Sequence, residues 1–322
     1  YYAGPVSDHF DGLRFFNPEG TPPRGFTDLV RWQLGGGRQR WPAEVPVIPA
    51  RPAARVQDLT VTMVGHATLL IQTAGMNILT DPVWSERASP VGFAGPRRAT
   101  APGIAFDDLP PIDLVLLSHN HYDHLDLDTL WRLSNRFHMP ILTPLGNDAI
   151  LRAHAGALHD VRAHDWGEAV GFGPMTVHLT PCHHWSARGT TDRSMALWAG
   201  FVVAGNAGKV LFVGDTGFDD GRPYRDLPAR HGQIRAALLP VGAYEPRWFM
   251  APQHQDPAEA VRALALSGAA WGIGHHWGTF QLTDEGREAP RDALATALAS
   301  QGLDPGRFRA LVPGQAWEVP PA

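Results

Sequence analysis

The run Ser118-His119-Asn120-His121-Tyr122-Asp123-His124-Leu125-Asp126 concentrates four metal-ligand side chains within a six-residue span. Imidazole and carboxylate groups are preferred ligands of zinc-like cations. Directly before the run lies Ile112-Asp113-Leu114-Val115-Leu116-Leu117, a short apolar stretch that reads as a buried strand. A strand that ends in His-x-His-x-Asp-His releases its ligands into a loop, where they can address two neighbouring points in space. His119 and His121 are separated by one residue, leave the loop on the same side and suit one ion. Asp123 and His124 are free to turn to a second. A two-metal hydrolase needs this arrangement.

Downstream segments offer the rest of a cage. Pro181-Cys182-His183-His184-Trp185 follows the strand-like stretch Met175 to Thr180 and brings another imidazole to the first ion. Gly214-Asp215-Thr216-Gly217 puts a carboxylate in a glycine-flanked turn that permits close approach; its two oxygens can bridge two cations. Gly274-His275-His276-Trp277-Gly278 brings a last imidazole to the second ion. Spacing leaves open which of His183 and His184, and which of His275 and His276, faces the metal. A hydroxide shared by the ions would complete both shells and serve as nucleophile, because two cations lower the pKa of bound water toward neutrality. A lone histidine at a strand end is usually a hydrogen-bonded structural residue. Four ligand-type side chains in one loop, with later partners in order, outweigh that reading. Cys182 reads as a small buried thiol rather than a soft ligand.

The elements that must position these residues are visible as periodicity. Thr60-Val61-Thr62-Met63-Val64 alternates polar and apolar, Gly65-His66-Ala67 interrupts, and Thr68 to Gln72 and Asn77 to Pro82 continue as a meander of short antiparallel strands. Thereafter strands at 175–180, 199–203, 209–213, 236–240 and 270–273 alternate with helices. Asp126 is an N-cap for an amphipathic helix bearing Leu127, Leu130, Trp131 and Leu133. Asp256-Pro257-Ala258-Glu259 combines N-cap, first-turn proline and a reciprocal Glu, and its helix stops at Gly268. A last helix spans about 291–299. Residues 1–57 carry many Pro, Gly and Arg and little periodicity, and read as an irregular N-terminal arm packed on the core through Phe10, Phe15, Phe16 and Trp32. Residues 58–322 then form one catalytic domain.

Composition narrows the function classes. The 322 residues are 44% hydrophobic and 18% charged, with 34 Gly and 29 Pro, a globular and loop-rich balance. A formal charge of −5 gives no support to nucleic-acid binding. Cys182 is the one cysteine, so no intrachain disulfide forms. No apolar run approaches the roughly 20 residues of a transmembrane helix. The compartment is not set by the sequence; a cytoplasmic or peripheral-membrane location is the expectation. The chain starts at Tyr1 rather than Met, which leaves room for a preceding signal or anchor. Oligomeric state is not legible.

These motifs resemble the metallo-β-lactamase superfamily, whose signature is this His-x-His-x-Asp-His loop with downstream His, Asp and His. Further blocks resemble one branch, the N-acyl-phosphatidylethanolamine-hydrolysing phospholipase D enzymes and their bacterial relatives. They are Gly65-His66-Ala67, the run from Thr80-Asp81-Pro82 to Pro90, Leu109 to Asp113, Gly214 to Gly217, Gly242-Ala243-Tyr244-Glu245-Pro246-Arg247-Trp248-Phe249-Met250 and His276-Trp277-Gly278-Thr279-Phe280. The resemblance runs from about residue 58 to near the C-terminus. It implies an α/β fold, the four-layer αβ/βα sandwich, with a two-zinc site at one edge. It selects His184 and His276 from the two ambiguous pairs. The implied ligands are His119, His121 and His184 on one zinc, Asp123, His124 and His276 on the other, and Asp215 shared.

The expected chemistry is phosphodiester hydrolysis of phospholipase D type on N-acyl-phosphatidylethanolamine-like lipids. Asp123 would carry a proton toward the leaving group. His254 matches a family position near the substrate, and Tyr244, Arg247 and Trp248 are candidate substrate contacts, although Arg247 reads equally as a structural ion-pair residue. Phe15, Phe16, Trp248, Phe249 and Met250 are candidates to line a lipid groove with peripheral membrane contact. The alternative is a lactonase or other carboxylic-ester hydrolase, since the same nucleophile attacks a carbonyl carbon equally well.

Overall fold

The alternating and apolar runs become two sheets packed face to face. The computed structural model describes residues 1–154 and 158–322. Among these, β1 (Thr60–Gly65), β2 (Thr68–Thr73), β3 (Met76–Thr80), β4 (Leu114–Leu116), β5 (Pro140–Pro144) and β6 (Asp160–His164) build most of the first sheet. β7 (Ala169–Phe172), β8 (Met175–Thr180), β9 (Gly200–Gly205), β10 (Gly208–Val213), β11 (Ile234–Pro240), β12 (Ala269–His275) and β13 (Phe308–Ala310) build the second. β14 (Ala316–Glu318) returns to the first sheet beside β1. The orders are β14-β1-β2-β3-β4-β5-β6 and β13-β12-β11-β10-β9-β8-β7, each part antiparallel and part parallel.

Helices α2 (Leu127–Phe137) and α3 (Asn147–Ala153) lie on the outer side of the first sheet, and α4 (Arg222–Arg225), α5 (Leu227–His231), α7 (Pro257–Leu266) and α8 (Ala289–Ser300) on that of the second, while α1 (Phe26–Leu34) and α6 (Arg247–Met250) pack on each other. The alternation of β1 sends Val61 and Met63 into the core between the sheets, against Val203, Phe212 and Leu238, while Val64 faces the outer layer with Leu130 and Leu133 of α2. The outer face of the second sheet packs on Val261 and Leu264 of α7 and Leu294 and Leu298 of α8. Each fully buried Leu or Val there contributes roughly 1.5–3 kcal/mol relative to exposure. The order helix, sheet, sheet, helix is the expected αβ/βα sandwich. The helix starts also match their signals. Asp126 accepts from Thr129 N, and Asp256 forms a reciprocal capping box with Glu259.

The N-terminal arm departs from the irregular segment expected. Phe26–Leu34 is helical, although Gly25 caps it with no side chain. Phe10 and Phe15 are buried in the core under the second sheet, and Trp32 stacks on Phe249 at 5.1 Å. Phe16, expected as an anchor, is 41% exposed. His9 fastens the arm through Nε2, 2.8 Å from Asp165, and by stacking on Trp166 at 4.5 Å, with Nδ1 2.6 Å from its neighbour Asp8.

Candidate metal centre

Six strand ends converge on one point. The 119–124 loop leaves β4, His66 follows β1 and Asp81 follows β3, all in the first sheet. His184, Asp215 and His276 follow β8, β10 and β12 of the second. The site therefore lies on the seam, and no single sheet builds it. Gly214 permits the join, because a Cβ there would stand 2.2 Å from Ser118 Oγ in the opposing loop. A Cβ on Gly242 would stand 2.2 Å from the carbonyl of His276. Three site residues hold a left-handed backbone: His66 (φ 56°), Asp81 (φ 33°) and His276 (φ 62°). Such conformations cost on the order of 1–3 kcal/mol each and cluster where geometry serves function.

The ring nitrogens of His119, His121 and His184 all lie within 4.8 Å of one another. His121 Nδ1 is 2.9 Å from His119 Nε2 and 3.2 Å from His184 Nε2. On the other side, His276 Nε2 is 3.2 Å from Asp123 Oδ2 and 3.1 Å from Asp215 Oδ1. His124 Nε2 is 3.4 Å from Asp123 Oδ2 and 3.3 Å from Asp215 Oδ2. Asp215 Oδ2 also stands 3.7 Å from His184 Nε2 and 4.0 Å from His119 Nε2. The carboxylate thus sits between the two groups. His183 and His275 turn away: the His183 ring meets the Thr21 carbonyl at 3.0 Å, and His275 Nε2 donates to the Val213 carbonyl at 2.8 Å.

Outer hydrogen bonds orient the imidazoles. His184 Nδ1 donates to the Gln253 carbonyl at 3.0 Å, and His119 Nδ1 meets Ser118 Oγ at 2.9 Å. Asp81 takes His124 Nδ1 at 2.6 Å and accepts from Ser118 N at 2.7 Å. His66 Nε2 lies 2.8 Å from Asp123 Oδ2. Ligand spacing does not reveal these roles of His66 and Asp81. Their signal was present in the blocks Gly65-His66-Ala67 and Thr80-Asp81-Pro82, which carry no ligand spacing of their own.

The electrostatics ask for positive charge. Burial lowers His124 and His276, but the surrounding Asp215 and Asp123 outweigh it, raising His124 well above the ordinary imidazole value and His276 to about 9. Burial would raise Asp123 and Asp215, yet the same imidazoles hold both well below the carboxylate range. For His121 and His66 burial wins over the nearby carboxylates, pushing His121 down to about 4 and His66 to about 3 even though Asp123 stands beside it. His124 Nε2 and Asp215 Oδ1 are buried and hydrogen-bond to nothing among the described residues. Orphaned nitrogen and oxygen donors around a carboxylate-rich centre fit borderline divalent cations. Burial raises the Cys182 thiol, as suits a structural residue.

A cavity of about 550 Å³ opens on this cluster. His121, Asp123, Asp215 and His254 reach its floor, and Phe26, Leu29, Trp32, Phe249 and Met250 line its walls. His254 Nδ1 is 3.8 Å from Asp215 Oδ2. The other expected substrate contacts are elsewhere. Arg247 pairs with Glu259 at 2.8 Å and donates to the His254 carbonyl, Tyr244 is buried beside the cavity without lining it, and Trp248 lies 40% exposed under Arg31. Phe15 is core, and Phe16 borders a separate surface depression.

The β-lactamase superfamily domain model matches residues 76–277, and the chain belongs to that superfamily. Fold and cluster together define a metal-dependent hydrolase of this class. Among its relatives is the N-acyl-phosphatidylethanolamine-hydrolyzing phospholipase D 1 of Caenorhabditis elegans, 37% identical over 81% of this chain and 76% of that protein. The mitochondrial enzyme of the same description from Saccharomyces cerevisiae is 32% identical over 68% of this chain and 47% of its own length. An isothiocyanate hydrolase from Delia radicum gut bacteria shares the fold, with a TM-score of 0.61 and 21% identity over 80% of this chain and 98% of that one.

Proposed function

We propose that this protein is a two-zinc phosphodiesterase of phospholipase D type acting on N-acyl-phosphatidylethanolamine-like lipids. The observation that carries the reading is the joining of an apolar-walled cavity to the shared carboxylate of a two-group ligand cluster. The relative in C. elegans supports the substrate class. His119, His121 and His184 would hold one zinc, Asp123, His124 and His276 the other, with Asp215 between them. When bound, the pair supplies charge neutralisation for phosphate oxygens and water activation at neutral pH.

The chain's own residues do the rest. Phe249, Met250, Trp32 and Leu29 hold acyl chain and exclude water from the floor. Arg24 and Arg193 at the lining attract the anionic diester. Asp123, facing the cavity beside His66 and His276, accepts the proton of the attacking water and passes it to the departing ethanolamine oxygen. His254, lowered by burial to about 4, is neutral at pH 7 and can accept or relay a proton at Nδ1. One P–O bond forms with water oxygen and the bond to the N-acylethanolamine oxygen breaks, leaving phosphatidic acid.

The outer face of α1 extends the reading to a bilayer. Val30 and Leu34 are exposed there, and Arg24, Arg31, Arg38 and Arg40 lie within or close to the helix in sequence, in a chain that is net acidic. No helix among the described residues is long and apolar enough to cross a membrane, whereas a helix with an exposed apolar face and arginines flanking it can bind at the interface. The test is a substrate panel with metal analysis: an N-acyl phosphatidylethanolamine in vesicles, bis(p-nitrophenyl) phosphate and an acyl-homoserine lactone. Two zincs per chain and preference for the lipid are expected. Turnover of the lactone alone would replace this reading with the carboxylic-ester one.

A further inference from the structure

A loop that presents four ligands in six residues must have its backbone carbonyls satisfied from outside, because its internal bonds are few. Within the loop, only His124 N and Leu125 N return to the His121 carbonyl. The carbonyls of Asn120 and Leu125, which bracket the ligands His121, Asp123 and His124, both accept from one atom, Nη1 of Arg188, at 2.9 Å each. The same guanidinium lies over the Tyr122 ring, 3.9 Å from its centroid. Tyr122 Oη in turn donates to the Arg188 carbonyl at 3.0 Å. The clasp is reciprocal: residue 188 holds the loop at both ends and in the middle, and the loop holds residue 188.

We propose that Arg188 is a positioning residue that sets the spacing of the metal loop from behind. Its place in the fold supports that role over a catalytic one. Tyr122, Ala187 and Gly189 line the catalytic cavity, but Arg188 does not; it lines a separate cavity of about 320 Å³ with Ser85, Asp126 and Tyr122. The arginine is itself anchored. Asp192 accepts from Arg188 N at 3.0 Å and Gly189 N at 2.8 Å, and takes the Tyr1 hydroxyl at 2.8 Å. Arg14 of the arm donates to the Arg193 carbonyl, and Phe15 N to the Ser194 carbonyl. The N-terminal arm is thereby linked through the 188–194 turn to the ligands. A planar fork that bridges carbonyls while stacked on a ring is a job for arginine, and lysine replaces only part of it.

The inference rests on the two-metal reading, and wild-type protein that takes up no zinc would remove that reading before any variant is compared. With wild type binding zinc, Arg188→Gln should weaken zinc affinity, measured by competition with a chromophoric chelator, about 10–100-fold. It should change the visible spectrum of the cobalt-substituted protein and lower kcat on bis(p-nitrophenyl) phosphate while KM stays within about twofold. Arg188→Lys should fall between the two. A folded Arg188→Gln protein with wild-type zinc affinity and cobalt spectrum would overturn the proposal, and so would an effect confined to KM. If Arg188→Gln does not fold, Asp192→Asn decides: a several-fold loss of zinc affinity supports the clasp, and unchanged affinity and spectrum refute it.

Discussion

Asp81 Oδ2 lies 2.6 Å from Nδ1 of His124, both side chains fully buried, so the carboxylate fixes which ring nitrogen faces the ligand cluster. It also takes the backbone and hydroxyl of Ser118, one residue before the first ligand. A single buried acid therefore holds both ends of the metal loop.

Asp81→Asn should leave the fold intact yet weaken one of the two proposed metal sites by about 10–100-fold, the usual cost of removing a carboxylate behind a ligating imidazole. Titrating the metal-free variant with zinc should show the second equivalent binding more weakly than in wild type. Two equally tight equivalents would show that Asp81 serves only the backbone.

Asp215→Asn removes the carboxylate that stands between the ligand groups. Metal content and turnover should fall together, turnover by more than about 100-fold. Retention of two metals with full activity would contradict the shared-ligand assignment.

Metal removal should create a pH-dependent weakness. In the metal-free protein His276 is raised from 6.5 to about 9, burial being outweighed by Asp215 and Asp123, and His124 is raised as well. A raised folded-state pKa contributes stability that is full below the unfolded value and is lost as pH rises through the folded one. The melting temperature of chelator-treated protein should therefore drop between pH 6.5 and 9. Zinc-loaded protein, whose imidazoles are unprotonated, should lack that drop. Parallel melting curves for both forms would argue against metal at His124 and His276.

The face of α1 that looks away from the cavity should matter for lipid and not for soluble substrate. Val30→Asp with Leu34→Asp places charge at two exposed positions, 41% and 81% accessible, that do not line the cavity. Vesicle co-sedimentation and lipid turnover should fall on the order of tenfold, with bis(p-nitrophenyl) phosphate turnover unchanged. Equal losses on both substrates would point to damage to the fold.

The metal loop was legible because its ligands are adjacent in sequence and follow a buried run. Capped helices were legible because Asp126 and Asp256 mark their starts. Helix α1 was hidden: Pro22, Pro23 and the glycines at 25 and 35–37 read as loop, and its apolar residues face a cavity and solvent, so they trace no core stripe. His66 and Asp81 stand alone at strand ends, and only the fold brings them to His124 and Asp123. β13 and β14 are three residues each, too short for periodicity. The placement of Arg247 on Glu259 follows from a capping residue twelve positions away that spacing rules do not connect.

The pairing of β14 with β1, Val61 opposite Trp317, also governs the order in which this chain can fold. The first sheet, with the entire 119–124 loop, leaves the ribosome early, but its outer edge stays open until Ala316–Glu318 has been made. An uncovered apolar edge is an invitation to pair with another chain, and such distant contacts form slowly. Chains cut before Ala316 should collect in aggregates, measurable as the insoluble fraction on expression. In the proposed centre, whose ligands come from both sheets, metal capture would have to wait for the second sheet.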